Sequence, residues 1–202
     1  MIAVLGAIAL VSGLALGGLN ELTYEQAANN ILRFKKIPAV ANLYEIVHGK
    51  LDEARIEEVK ENLLAEKKYL DLGEGEPVLF FVIQKDGKPF AAALEDFGAG
   101  YAGDVGVMVG FELATGNLVG IGITSHSETA GLGSRVTEES FTLQFRDMSK
   151  DAVFKVKKDG GEIDAVAGAT LSSRAVVQGI EKANAFYQAN QERIKEAIEK
   201  AN

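Results

Sequence analysis

VLFFVIQKDGKPFAAAL, residues 78–94, is where the chain declares a β-hairpin. Val78–Gln84 is rich in β-branched and aromatic residues, Asp86-Gly87 is a turn signal of the primed type, and Phe90–Leu94 returns. Toward the C-terminus, Val105–Leu113, the turn Thr115-Gly116-Asn117 and Leu118–Thr124 make a second hairpin. Phe141–Phe145 and Ala152–Val156 read as shorter strands, followed by a turn at Asp159-Gly160-Gly161. From about Leu171 to Ala201 the period becomes helical, with Val176, Val177, Ile180, Ala183, Phe186 and Tyr187 on one stripe. Toward the N-terminus, Asp71–Pro77 is a loop marked by Gly73 and Gly75. Before it, Leu51, Ile56, Val59, Leu63 and Leu64 recur amid charges as one apolar helical face, and Pro38 is expected to separate an earlier helix. The expected architecture is α+β, a mostly antiparallel sheet with packed helices.

The first residues stand apart. Ile2–Leu19 carries no charge, and its 18 residues would form a helix about 27 Å long, close to the roughly 30 Å core of a bilayer. Gly6, Gly13, Gly17 and Gly18 suit close packing against another membrane helix rather than a helix in water. The run therefore reads as a transmembrane helix. A cleaved signal peptide and a buried helix are the rival readings; the first lacks its basic n-region. The basic residues that follow, Arg33, Lys35 and Lys36, taken alone favour a cytoplasmic body.

Composition narrows the chemistry. With 21 Lys and Arg against 29 Asp and Glu, the net charge of −8 disfavours a phosphate-backbone binder, so no nucleic-acid partner is expected. The absence of Cys excludes thiol nucleophiles, disulfides and thiolate metal sites. Two histidines, His48 and His126, exclude a multi-histidine metal site, and His48 reads as a helix-end residue.

Three segments carry chemical suggestion. GAGYAG, Gly98–Gly103, matches the dinucleotide fingerprint by letter, but a strand rather than a helix follows it. It reads better as a glycine loop against a ligand or a neighbouring strand. SHSETAGLG, Ser125–Gly133, follows a strand directly and offers His126, Glu128 and Thr129 before two glycines flanking Leu132. DAVAGATLSS, Asp164–Ser173, is a glycine turn entering the C-terminal helix. A helix start presents unpaired N–H groups and suits a phosphate, while Thr170, Ser172 and Ser173 suit simple N-capping.

Taken together, HSETAGLG and DAVAGATLSS resemble the FMN-binding domain of the G subunit of the Rnf membrane complex and of the C subunit of the sodium-translocating NADH:quinone reductase. The family patterns are H-x-E-T-P-G-L-G and D-x-x-S-G-A-T-x-x-S/T; Ala130 stands for the usual Pro and Ala167 for the usual Ser or Thr. The resemblance implies FMN held covalently by a phosphoester to Thr170, placed by a separate flavin transferase. Asp164, Gly168, Ala169, Leu171 and Ser173 surround it in the motif, and His126, Glu128, Thr129, Leu132 and Gly133 flank the flavin ring or its ribityl chain. It also implies three regions: a transmembrane anchor over residues 1–20, a helical connecting region over 21–76 and the FMN-binding domain over 77–202. The expected protein is a single-pass component of the cytoplasmic (inner) membrane with its flavin domain outside, contrary to the charge count. It relays electrons between ferredoxin and NAD through other membrane subunits, without catalytic acid–base residues or a metal of its own. The quinone-reductase homologue and a stand-alone extracytoplasmic flavin electron-transfer or sensor protein are the alternatives.

Overall fold

Asp86 and Gly87 both take positive φ, 53° and 74°, the conformation a two-residue primed turn requires. They join β2 (Val78–Lys85) to β3 (Lys88–Ala99) in a computed structural model that describes residues 2–73 and 75–200. Ala201, where the expected last helix ends, and Glu74 of the expected 71–77 loop lie outside the described residues. With β1 (Lys68–Leu70), β4 (Asp104–Glu112) and β5 (Leu118–Ser125), the strands form one antiparallel sheet in the order β1-β2-β3-β4-β5.

Alternation along the strands sends side chains to opposite faces, and both faces are covered. Phe80, Ala92, Leu94, Val107 and Val109 join the core beneath α5 (Thr170–Glu199). Phe81, Ile83, Ala91, Ala93 and Met108 join a second core beneath α2 (Ile37–His48) and α3 (Glu53–Ala65). The helices sit close to the sheet backbone. A Cβ at Gly98 would overlap the carbonyl of Ala175 on α5, and one at Gly122 would lie 2.8 Å from the Ala39 carbonyl oxygen on α2.

Helix α1 (Ile2–Ile31) extends well past the apolar run. Its Val4–Tyr24 stretch is long and apolar enough to cross a membrane, with mean hydropathy 1.5 and 0% of it buried in the fold. The expected break at Pro38 is replaced by a π-turn, Leu32–Lys36, that leads directly into α2, with Pro38 in the first turn of that helix. The Ile37 N–H bonds the Leu32 carbonyl, five residues back. A widened turn accommodates a ring that lacks an N–H and would otherwise crowd the preceding carbonyls.

Two expected strands are corrected. Phe141–Phe145 lies in α4 (Glu139–Thr142) and the 3₁₀ turn that follows it, Leu143–Phe145. Phe141 and Phe145 both point inward, edge to face at 5.5 Å between ring centres. Ala152–Val156 makes only one isolated bridge, a parallel one between Val156 and Ile163, because the few residues between the partners are too short a connection for a parallel ladder.

Candidate functional site

Three segments converge at the end of the sheet where β3 and β5 terminate. The loop between β3 and β4, the segment after β5 and the start of α5 enclose an open cleft of about 540 Å³. From the post-β5 segment the cleft takes Glu128, Thr129, Leu132 and Gly133; from the helix entry it takes Gly168, Ala169, Thr170 and Leu171. Leu132 and Leu171 are 46% and 50% exposed, giving it apolar walls open to solvent.

Glu128 is the hub. Its carboxylate accepts from Ser172 Oγ on α5 at 2.5 Å and from the Ala102 N–H of the β3–β4 loop at 3.0 Å. That loop is itself closed by a hydrogen bond from the Gly100 N–H to the Gly103 carbonyl, 3.0 Å. Burial alone would push the Glu128 carboxyl up. The Ser172 hydroxyl, the Ala102 and Tyr101 N–H groups and the charge of His126 outweigh burial and hold it below its ordinary value. One buried carboxylate thus fastens all three walls together.

The helix start differs from the capping expectation. Ala169 occupies the N-cap position with no side-chain cap. Ser172 is turned to Glu128, while Ser173, fully buried, donates to the Ala169 carbonyl and accepts from the Val166 N–H, both at 3.0 Å. Thr170 is the first helical residue, its Oγ1 3.5 Å from Lys158 Nζ. Gly168 reaches this geometry with a φ of 77°, a conformation that favours glycine. The N–H groups of the first turn therefore meet the cleft without a protein side chain to satisfy them, beside a cation and a hydroxyl.

His126 is exposed and does not line the cleft. Asp164 turns away: its carboxylate pairs with Lys157 at 2.7 Å, and its backbone bonds the Gln144 amide. Sequence reasoning missed Tyr101, Lys158 and Ser172 as cleft residues. Tyr101 has a signal, since the glycine string around it is legible as a loop facing a ligand or a strand. Lys158 has none; it is placed by Asp159, whose carboxylate is gripped by Arg174 on α5 through two hydrogen bonds of 2.7 Å.

Such a cleft fits an anionic group at the helix start and a planar, partly apolar body between Leu132, Leu171 and Tyr101. The class this defines agrees with the family model that matches residues 100–185, the FMN-binding domain. Among curated relatives, the G subunit of the ion-translocating oxidoreductase complex of Shewanella loihica is 30% identical over 196 residues, covering 93% of this chain and 88% of its own. The protein of the same name from Escherichia coli K12 is 36% identical over 138 residues, covering 63% and 66%. The chain belongs to the family of ion-translocating oxidoreductase complex G subunits. Its fold is shared with the C subunit of the Na(+)-translocating NADH-quinone reductase from Parabacteroides distasonis, at a TM-score of 0.57 and 17% identity over 74% of this chain and 90% of that one.

Proposed function

We propose that the chain is the FMN-bearing electron-transfer subunit of an ion-translocating oxidoreductase, relaying electrons between ferredoxin and NAD through partner membrane subunits, with FMN joined to Thr170 by a phosphoester. The observation that carries this reading is the uncapped start of α5, where Thr170 Oγ1 and Lys158 Nζ stand 3.5 Å apart at the cleft. A phosphate there meets the helix N–H groups, the positive end of the helix dipole and an ammonium group. Leu132 and Leu171 offer apolar contact to a ring beside it, and Glu128 holds the surrounding walls. Bound FMN supplies the redox centre; the chain supplies binding, orientation and electrostatics, and has no turnover of its own.

Attachment is the work of a separate flavin transferase. The chain is anchored in the cytoplasmic (inner) membrane by α1, with the flavin domain on the extracytoplasmic side, where a covalent tether prevents loss of a cofactor that is not readily replaced. Coexpressed with a flavin transferase, the protein is expected to keep yellow colour and in-gel fluorescence after denaturation, and Thr170→Ala to lose both. Covalent flavin retained in Thr170→Ala would place the attachment elsewhere.

A further inference from the structure

Where the membrane-length helix enters the body lies a half-buried ion pair that the cleft does not use. Lys36, the last residue of the π-turn, places Nζ 2.7 Å from Glu95 Oε2, with the two side chains only 26% and 9% exposed. The other oxygen of Glu95 accepts a hydrogen bond from the Thr124 hydroxyl, which is buried. Glu95 belongs to β3 and Thr124 to β5, and β4 runs between them. The contact across β4 is possible because Gly106 has no side chain there: a Cβ would collide with Thr124 Oγ1. The register of β4 against β5 also shifts at Gly106/Val107. Both strands end in walls of the cleft, β3 in the loop that carries Tyr101 and β5 in the segment that carries Glu128.

The helix reaches this contact without a linker. Ile31 and Ile37, on either side of the π-turn, are both right-handed helical, and from Tyr24 to Lys36 the chain climbs about 18 Å at helical rise. One extra residue in a helix turns the following face by about 100°, so the π-turn sets the direction Lys36 presents. Buried ion pairs seldom add net stability over apolar replacements, and their best-attested use is to specify one arrangement.

We propose that Lys36, Glu95 and Thr124 form a joint that locks the membrane helix onto the two cleft-bearing strands, so that the cleft is carried at one fixed height and orientation over the bilayer. They are positioning residues for electron transfer, acting through the placement of the whole body. The proposal rests on the reading that α1 crosses a membrane.

The chain contains no Cys, so spin labels at Leu22→Cys on α1 and Glu181→Cys on α5, both exposed sites, report one distance in the full chain reconstituted in phosphatidylcholine nanodiscs. A narrow distance distribution is expected. Lys36→Ala and Glu95→Gln should each broaden it at least twofold, and Lys36→Arg should restore it. Glu95→Gln keeps an acceptor for Thr124, so it reads the joint even where Lys36→Ala fails to fold. Covalent flavin content should stay unchanged in these variants, while electron transfer in the assembled complex slows in step with the broadening. Unchanged widths in folded variants that co-float with phosphatidylcholine vesicles would overturn the joint; failure of the chain itself to co-float would refute the membrane reading instead.

Discussion

Glu128 illustrates how a motif residue can line a cleft while spending its charge on the walls that form it. Both of its oxygens are engaged by the protein, one by Ser172 and one by the backbone of the glycine loop. Glu128→Ala removes the acceptor from the buried Ser172 hydroxyl, at about 1–3 kcal/mol for the group left unsatisfied, and from the Ala102 N–H, which lies in an exposed loop. A loss of about 1–3 kcal/mol in a urea titration is expected. An effect below about 0.5 kcal/mol would mean that water replaces the carboxylate easily. The pH dependence follows from the lowered folded value. The unfolded carboxyl binds its proton near the ordinary value of 4.5, whereas the folded one resists until lower pH. The contribution is therefore complete above about 4.5 and is lost as pH falls through that value toward the folded one. Thermal melts between about pH 6 and pH 3 should fall less steeply for Glu128→Gln than for the parent chain; parallel curves would reject the assignment.

Elements were legible to the degree that one period identified them. The two hairpins carried turn residues with a mechanism, Asp86-Gly87 above all, and their strands stand within a residue or two of expectation except β3, which runs on to Ala99 into the glycine string. Phe141, Leu143 and Phe145 show why FTLQF misleads: spaced by two they mimic one face of a strand, yet Phe141 and Phe145 are also spaced by four, the helical period. The structure buries those two and leaves Leu143 at 42% exposure. The cleft motifs were readable only as a pair resembling a known family, because hydroxyls at a helix start serve equally well as simple caps, while Lys158 depends on a turn braced by Asp159 and Arg174, a tertiary contact with no local signature. The contact of α5 on β3 is equally tertiary. Gly98→Ala drives a methyl group into the Ala175 carbonyl and should cost about 1–3 kcal/mol, the usual penalty of overpacking, measurable as a lowered urea midpoint with unchanged slope. A neutral Gly98→Ala would show that the helix is free to lift from the sheet.

At the scale of the whole molecule, the membrane-length helix and the charges that follow it bear on the side of the membrane where the body works. The span Val4–Tyr24 would be a severe liability if exposed to water, and α1 carries it into the body without a hinge. The case for a cytoplasmic body rests on Arg33, Lys35 and Lys36. In the folded protein Arg33 is paired with Glu61 and Lys36 with Glu95, so these two side chains have structural work independent of topology. Large domains also cross largely regardless of charge. An extracytoplasmic flavin domain makes a concrete demand: protease added to cells whose outer envelope has been opened should digest residues beyond the span while cytoplasmic markers survive. The fragment left in the membrane should begin at the native N-terminus and retain the span. Protection of the flavin domain under those conditions would reverse the proposed orientation, and a mature chain starting near Leu19 would replace the anchor with a signal peptide.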